Sequence, residues 1–548
     1  MSAGAFERLR WGFDRVVMLA EVVRVRISPV GVLGENVDPD RDTTNDWRWL
    51  RRPALMGFVA LVSVAVGVSI DSSPFKLEMP GTWFFGVPSQ SGPASTAYLL
   101  FGLVAVYGGL VLLMRVWYGM TRALTRRPGT PLKHLWLILG LWMIPMLVVA
   151  PIFSRDVFSY AAQGEMVSHH INPYNYGPYT LGAGPYVNPV DSLWLNAPAP
   201  YGPLFLMIDG FFASASFHNA LVTVIFLRLL AVAGVALIAW CIPKLARAYG
   251  REPGPILLLT ALNPLVLLTL VGSAHNDAIM VGLLLCGITA AKYKHPVWGV
   301  VLVALAAAIK APAGLGVLYI GWEWLGTGVP WRNRVRPVLT AALITIAVLA
   351  FLSVVSGLGW GWVGNLETPG TVRSWLAPTT AIGLGLSGIL HAIGWHVSTT
   401  AVLSGARVLG FTVAGAATVY LLKISDRIGG LKALAISLLL FVVLGPVVQP
   451  WYLTWGLLLL APVAFGRWRT LIIAVSVLSP FIGLPGGRTL LDQLIHSDPL
   501  SVALAFVVLL GVLLVPLGRW STSWRWRAAA DGSDAWGDAH LEYQLSEG

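Results

Sequence analysis

The residues best suited to chemistry stand at the ends of apolar runs. Asp156 lies near the start of the string SRDVFSYAAQG, which follows directly on the apolar segment LWLILGLWMIPMLVVAPIF. His275, Asn276 and Asp277 form a second polar group between two apolar runs, and Lys310 follows another such run. Ionisable side chains near membrane depth are costly and usually face a cavity or a partner. The carboxylate of Asp156 is therefore a candidate catalytic group, and the other residues are candidates for binding a substrate.

Each of these residues also has a structural alternative. Asp156 could cap the helix that follows it or pair with Arg155, and Asp277 could cap the next span. Lys310 could extend its ammonium group to the membrane interface. His275 could be an ordinary hydrogen-bonded histidine of the core.

The elements that carry these residues are predicted to be membrane helices. Of the 548 residues, 56% are hydrophobic and 11% are charged, and the mean hydropathy is +0.72. Soluble globular proteins carry about 25% charged residues. Apolar runs of about 20 residues recur along the chain, which predicts an all-α, polytopic membrane protein with about 13–14 transmembrane helices. The predicted spans include residues 220–242, 255–272, 337–356 and 398–422, and a long outer loop is predicted after the span at 337–356. Two cysteines, Cys241 and Cys286, lie in apolar runs and indicate neither a disulfide framework nor a zinc site.

Basic residues predict the orientation of the spans. The net charge is +11, and nine arginines lie within the first 52 residues, so residues 1–52 are predicted to be cytoplasmic. This segment is either an interfacial helix over 6–26 or a flexible basic tail. Nucleic-acid binding is the weaker interpretation, because membrane orientation already accounts for the arginines. Residues 53–517 would form the transmembrane catalytic domain, and residues 518–548 a cytoplasmic tail.

The predicted topology places the unusual polar groups on one side of the plasma membrane. Basic loops alternate along the chain, and both termini are predicted to be cytoplasmic. Asp156, Asp277 and Lys310 then lie on the outer side, together with Arg373 in TVRSWLAP and Gln449 in QPWYLTW. No internal repeat is evident, which argues against the transporter folds that are built from inverted repeats.

The longest outer segment, residues 154–202, has the composition of a sugar-binding surface. It is predicted to begin with a helix over Asp156–Ser168, followed by a loop rich in Tyr, Pro, Gly and Asn. Aromatic faces and amide groups suit a carbohydrate, although the same tyrosines could form an interfacial belt or pack in the core. The stretch Pro203–Ser216 is either a half-span or an interfacial helix. His169 and His170 are adjacent and lack metal-ligand spacing, so no metal site is assigned.

Several strings together resemble a known family. SRDVFSYAAQG, NPYNYGP, APAPYGPLFL, HND, VRSWLAP and PVVQPWYLTW are similar to the actinobacterial polyprenol-phosphate-mannose-dependent α-(1→6)-mannopyranosyltransferases, particularly the B type. The resemblance implies a GT-C glycosyltransferase fold and a site on the outer side of the membrane. It also implies a polyprenyl-phosphate mannose donor and a mannosylated glycolipid acceptor, the growing mannan core of lipomannan and lipoarabinomannan.

The resemblance assigns roles to the candidate residues. Asp156, in the first large outer loop, would be the general base of an inverting single displacement. Lys310 and Arg373 would hold the donor phosphate. The substrate-binding candidates are Arg155, Tyr160, Gln163, Tyr201, His275, Asn276, Asp277, Gln449, Trp451 and Tyr452. No cofactor is required, although Asp156 and Asp277 could share a divalent metal.

Two other functions remain open from the sequence. A carrier that flips lipid-linked sugars would share the spans and the charged cavity, but it needs polar groups reachable from both faces. A GT-C enzyme of different sugar or acceptor specificity would share the whole pattern. No Walker loop or G-x-G-x-x-G motif is found, so a cytosolic nucleotide donor is not expected.

Overall fold

Helices joined by turns and loops make up the described part of the chain, and no strand occurs in it. The computed structural model of the protein describes residues 48–70, 96–372 and 376–481. The α-helices are α1 Arg48–Ser69, α2 Thr96–Thr125, α3 Leu132–Val148, α4 Asp156–Ser168, α5 Ser192–Leu195, α6 Pro203–Ala215, α7 Ala220–Ala248, α8 Pro253–Leu259, α9 Asp277–Lys292, α10 Pro296–Ala307, α11 Leu315–Glu323, α12 Trp331–Val355, α13 Gly361–Gly364, α14 Pro378–Ala392, α15 Thr399–Lys423, α16 Ser425–Ile428, α17 Gly430–Val443, α18 Thr454–Leu460 and α19 Arg467–Leu478. The predicted all-α class is confirmed.

Short helices of other types connect some of these elements. A π-helix covers Val266–Gly272, and 3-10 turns cover Pro178–Leu181, Ala311–Gly314, Asn365–Thr371, Pro450–Leu453, Ala461–Val463 and Ser479–Phe481. The predicted N-terminal helix, the cytoplasmic tail and the last predicted spans lie outside the described residues.

The long apolar helices identify a multi-pass membrane protein. Five helices within the described ranges are long and apolar enough to cross a membrane: α1, α2 from Leu100, α7, α12 and α15. The π-helix and α9 form a sixth candidate, bent by 114° at the break between them. The other apolar helices are shorter. The 13–14 spans were predicted over the whole chain, so their number stays a prediction, while within the described ranges several of the predicted spans are shorter or broken helices.

Broken apolar runs explain much of this difference. The run predicted as one span over 255–272 is divided into α8 and the π-helix, with Asn263 and Pro264 between them. Pro264 has no N–H to continue the helix. The Asn263 side chain instead accepts from the N–H of Leu265 at 2.9 Å and donates to the carbonyl of Leu259 at 3.1 Å. The helix α14 also lies where a long outer loop was predicted.

Close approach of α7 and α9 holds the centre of the protein together. A Cβ added at Gly234 of α7 would lie 2.3 Å from the carbonyl carbon of Ala278 at the start of α9. Only glycine therefore permits this contact, and the contact fixes α9 at the end that carries Asp277. By contrast, most residues of α12 and α15 are exposed, as expected for helices that face lipid.

Two parallel helices, α4 and α6, carry the outer segment. Tyr160 near the start of α4 packs edge-on against Tyr201 and Phe205, with ring centroids 5.2 and 5.1 Å away. Further along, a Cβ added at Gly164 would lie 2.4 Å from the carbonyl oxygen of Asp209. The prediction of a helix over Asp156–Ser168 is confirmed, and the stretch from Pro203 forms a 13-residue helix.

Candidate active site

The chain segments that precede Asp156 and His275 are hydrogen-bonded to each other. Ile152 donates its backbone N–H to the carbonyl of Gly272 at 3.2 Å, and Ser273 Oγ donates to the carbonyl of Ile152 at 2.6 Å. In each segment a non-glycine residue has a positive φ, 61° at Phe153 and 56° at Ala274. Such left-handed conformations are uncommon for large side chains and turn the chain sharply. The two turns therefore bring the residues after them together.

A buried arginine fixes the same two segments. Arg228, on α7, donates to the carbonyls of Leu147, Val149 and Gly272, at 3.2 and 2.9 Å for the first and last of these. These carbonyls belong to the ends of α3 and of the π-helix. Helix C-termini carry unsatisfied carbonyls and a partial negative charge, which a guanidinium group satisfies well. Arg228 is thus a positioning residue behind the site.

Asp156 is the first residue of α4, but its side chain does not cap that helix. Its Oδ1 accepts from the indole N–H of Trp194 at 3.2 Å, and its Oδ2 lies 3.6 Å from Nε2 of His275. The backbone N–H of Asp156 donates to Ser154 Oγ at 3.2 Å. The carboxylate is 17% exposed, so it is reachable from outside while held by neighbours on two other segments.

His275 is fully buried and its hydrogen bonds define its tautomer. Its Nδ1 lies 2.7 Å from the carbonyl of Thr269, which can only accept, so Nδ1 carries the hydrogen. In the neutral ring Nε2 is then an acceptor, 3.2 Å from Ser154 Oγ. The ring stacks on Trp451 with centroids 3.9 Å apart. His275 is thus a packed, hydrogen-bonded histidine that also borders the candidate base.

The surroundings of Asp156 keep it ionised. Burial acts to raise the pKa of its carboxyl group. The hydrogen bond and charge of His275 act against burial when its ring is protonated on both nitrogens, since only then does Nε2 donate toward Asp156. The charge of Lys310 and the hydrogen bond from Trp194 act in the same direction as His275. The net result is a pKa below the usual value of an aspartate. The group can therefore accept a proton at neutral pH, as a general base must.

Lys310 and Asp277 form a buried ion pair. Lys310 Nζ donates to both carboxylate oxygens of Asp277, at 3.0 and 2.9 Å. Asp277 also accepts from the indole N–H of Trp455 and is fully buried. The Nζ atom lies 4.5 Å from the centre of the Tyr452 ring, close enough for a cation–π contact. The Lys310 side chain is only 12% exposed, which is not the state of a lysine that extends to the interface.

A backbone hydrogen bond next to Tyr201 places its ring near this ion pair. Gly202 donates its N–H to the carbonyl of Ile309 at 3.1 Å, next to Lys310. A Cβ added at Gly202 would lie 2.2 Å from the carbonyl oxygen of Ala308, so only glycine permits this approach. The Tyr201 ring centre lies 5.9 Å from Lys310 Nζ. The motif that contains Tyr201 is thereby tied to the segment that contains Lys310.

The segment after Gln449 supplies the aromatic side of the site. Pro450–Leu453 forms a 3-10 turn in which Trp451 packs on His275 and Tyr452 on Trp455, the latter with ring centroids 4.6 Å apart. Gln449 immediately precedes the turn and is half-buried. This turn connects the Asp156–His275 pair with the Lys310–Asp277 pair.

Several buried polar atoms of the site have no hydrogen-bond partner in the described part of the chain. They include both amide atoms of Asn276, the Oε1 atom of Gln163, the hydroxyl of Tyr160 and the Nε1 atom of Trp451. Buried polar groups are rarely left unsatisfied, so these atoms are suited to hydrogen bonds with a hydroxylated ligand. Arg155 precedes Asp156 and is half-buried, whereas Arg373 lies outside the described residues.

Three contributors to the site were not predicted from the sequence. Trp194 and Trp455 donate to the two aspartates from 38 and 178 positions away along the chain. Arg228 lies in the interior of a membrane-length helix, where a charged residue is itself a sequence signal of a functional role. Among the described residues, one group of three side chains could together bind a metal ion. It consists of Glu165, His169 and His218, at the end of α4 that is remote from Asp156.

Comparison with known proteins identifies the family. A model described as the N-terminal domain of alpha-(1->6)-mannopyranosyltransferase matches residues 54–326, and a model described as the MptB C-terminal domain matches residues 379–528. An alpha-(1->6)-mannopyranosyltransferase of Mycobacterium tuberculosis is 31% identical over 89% of this chain and 90% of its own length.

Two further relatives agree with these matches. A probable alpha-(1->6)-mannopyranosyltransferase of Mycolicibacterium smegmatis is 33% identical over 85% of this chain and 88% of its own length. Alpha-(1->6)-mannopyranosyltransferase B of Corynebacterium glutamicum is 29% identical over 86% of this chain and 82% of its own length. With relatives matched along nearly all of its length, the chain belongs to the alpha-(1->6)-mannopyranosyltransferase family and is a hexosyltransferase.

Proposed function

We propose that this protein is a B-type enzyme of the family. It would transfer mannose from polyprenyl-phosphate mannose to the 6-hydroxyl group of a mannose residue on a lipomannan or lipoarabinomannan core. The observation that carries the proposal is the position of Asp156, an ionised carboxylate that is partly open to solvent and is bordered by aromatic rings and a lysine. The match to the MptB C-terminal domain supports the B type.

Asp156 would act as the general base. It takes the proton from the acceptor 6-hydroxyl while that oxygen attacks the anomeric carbon of the donor. The bond from the anomeric carbon to the phosphate oxygen breaks, and polyprenyl phosphate leaves with the bonding electrons. A β-linked donor would give an α-linked product by this single inversion. Nε2 of His275 is 3.6 Å from Asp156 and could accept the proton next.

Lys310 and Arg373 would stabilise the leaving phosphate. The donor phosphodiester carries one negative charge, and the departing monophosphate develops a second. Lys310 uses two of its three N–H donors on Asp277 at 3.0 and 2.9 Å, which leaves one for a phosphate oxygen. Asp277 would hold Lys310 in place, and the Tyr452 ring would limit its movement.

The rings and unsatisfied amides would bind the sugars. Tyr201, Trp451 and Tyr452 offer flat apolar faces, and Asn276 and Gln163 offer hydrogen-bonding groups without partners in the described residues. Together these are the two kinds of group that a carbohydrate requires. The site would lie on the outer side of the plasma membrane, where a lipid-linked donor can enter from the outer leaflet.

Transfer in a purified system tests the reaction. The full-length protein in lipid nanodiscs is incubated with radiolabelled polyprenyl-phosphate mannose and a short α-(1→6) mannoside. We expect acceptor-dependent product, with an α-(1→6) linkage by NMR and by linkage analysis. A product with another linkage, or transfer from a nucleotide sugar instead, would overturn the assignment. Movement of the labelled lipid across a vesicle membrane without transfer would identify a carrier.

Labelling of introduced cysteines tests the orientation. Tyr176→Cys lies in the proposed outer segment and Pro128→Cys in the proposed cytoplasmic loop, and both positions are exposed. The two native cysteines are buried, so they give little background. An impermeant thiol reagent should label Tyr176→Cys in intact cells and Pro128→Cys only after lysis. The opposite pattern would invert the topology.

A further inference from the structure

The end of α4 that is remote from Asp156 carries a second cluster of polar residues. Glu165 lies in the last turn of α4, His169 follows that helix, and His218 follows the end of the neighbouring helix α6. Nine residues separate Asp156 from Glu165, which corresponds to about 14 Å along the helix. The cluster is therefore separate from the candidate active site.

The ligand-type atoms of this cluster converge on one point. His169 Nε2 lies 3.1 Å from Oε1 of Glu165, and His218 Nδ1 lies 3.2 and 3.0 Å from its two carboxylate oxygens. One ligand atom from each of the three residues lies within 4.8 Å of the others. Ligands of a tetrahedral zinc ion, at about 2.0–2.2 Å from the metal, stand roughly 3.3 Å apart. Small side-chain rotations are enough to reach that arrangement.

The local backbone favours a cation at this point. Both α4 and α6 end here, so two sets of terminal carbonyls give the place a partial negative charge. Phe217 and His218 have positive φ angles of 54° and 58°, which turn the chain after α6 back toward Glu165. The N–H of His218 donates to the carbonyl of Ala213 at 3.1 Å and fixes that turn.

Charge and exposure also suit an ion. Among the described residues the ion pairs of Glu165 are with the two histidines, and no lysine or arginine there lies within 4.0 Å of its carboxylate. The Glu165 side chain is 9% exposed, whereas those of His169 and His218 are 54% and 48% exposed. An ion can therefore arrive from solvent and meet a nearly buried anionic ligand. Water could complete its coordination.

We infer that Glu165, His169 and His218 form a binding site for a divalent transition-metal ion of the zinc class. Two imidazoles and one carboxylate are ligands that this class accepts. The ion would link the C-terminal ends of α4 and α6, the two helices whose opposite ends carry Asp156 and Tyr201. Its role is to hold this helix pair together, and it takes no part in the transfer reaction.

Metal binding to the full-length protein tests this inference. Protein stripped with a chelator, in lipid nanodiscs, is titrated with ZnCl₂ and followed by calorimetry and by thermal unfolding. We expect one tight equivalent of zinc and a rise in Tm. Glu165→Gln and His218→Ala should each weaken binding by more than about 100-fold, since even changes outside the ligand set often cost 10–100-fold. The control His170→Ala, at the exposed histidine beside His169, should bind as the parent does.

A cobalt substitution distinguishes a built site from loose surface binding. His169→Cys replaces one ligand by another that this class of metal accepts. The Co²⁺-loaded variant should gain a sulfur-to-cobalt absorption band in the near ultraviolet while keeping one equivalent of metal. Weak binding of several equivalents that His170→Ala reduces as much as His218→Ala does would overturn the inference. A hydrogen-bonded cluster without affinity for metal would overturn it too, and it would show as an unchanged Tm.

Discussion

The helix α4 carries a carboxylate near each end, and both carboxylates stand beside histidine. Asp156, at the start, borders His275 and accepts from Trp194, while Glu165, near the end, borders His169 and His218. His275 is fully buried, whereas His169 and His218 are about half exposed. A carboxylate beside histidine thus occurs in two different environments.

This difference shows that the surroundings of a carboxylate and a histidine decide which function they suit. At the first end, the tautomer of His275 is set by Thr269, and neighbouring segments fix the position of Asp156. Such rigidity suits a base that must meet one substrate hydroxyl in one geometry. At the other end the histidines are open to solvent and free to adjust, which suits the capture of an ion.

The largest expected effect is that of removing the base. Asp156→Asn keeps the shape of the side chain but cannot accept a proton, so kcat should fall by roughly 10²–10⁴-fold. The matched change at the other end of the helix, Glu165→Gln, should leave most of the activity. Both are measured by mannose transfer at saturating donor. Equal losses in the two variants would mean that α4 acts only as a scaffold.

The next effect concerns the arginine behind the active-site end. Arg228→Met should lower kcat by roughly 100-fold, because a misplacement of about 1 Å can cost that much. Arg334→Met is the matched control, since Arg334 is also buried and donates to two backbone carbonyls, at 2.9 Å each, and to Asp426. It should lower Tm without lowering the kcat of the folded protein. A parent-like kcat in Arg228→Met would show that the turns at Phe153 and Ala274 position Asp156 and His275 without Arg228.

The Lys310–Asp277 pair gives a smaller effect that separates charge from packing. Lys310→Met should lower kcat and raise the donor KM, together by about 10- to 150-fold, since one charge-assisted contact contributes about 1.5–3 kcal/mol. Asp277→Asn removes the competing charge and should keep donor affinity at least as tight as in the parent. A parent-like kcat and donor KM in Lys310→Met would assign the pair to stability alone.

The smallest effect is a shift in pH dependence. Trp194→Phe removes a hydrogen bond that lowers the pKa of Asp156, so that pKa should rise. A higher pKa means that the carboxylate is protonated at a less acidic pH, so the acid limb of kcat/KM should move to higher pH. Activity near pH 7 should change little. The exposed Trp298→Phe serves as the control, and an unmoved acid limb would show that Trp194 does not act on Asp156.

Local sequence patterns were enough to predict much of the fold. The start of α4 follows from a polar residue after an apolar run. Helices α7 and α15 begin within one residue of their predicted starts at 220 and 398, and α12 begins at residue 331, six residues before its predicted start at 337. Hydropathy and basic loops report on each segment by itself, because burial in lipid depends on the composition of that segment. The candidate residues at Asp156, His275, Asp277 and Lys310 were found in the same way.

The contacts among those residues were decided by the tertiary structure. The turns at Phe153 and Ala274 use left-handed conformations without glycine, so no sequence signal marks them. Glu165 and His169 have helical spacing, yet their third partner, His218, lies 53 positions beyond Glu165. Sequence by itself determined an all-helical membrane protein with polar groups at the ends of its apolar runs. Which of those groups meet was determined only by folding, because contacts between distant residues depend on how the chain turns between helices.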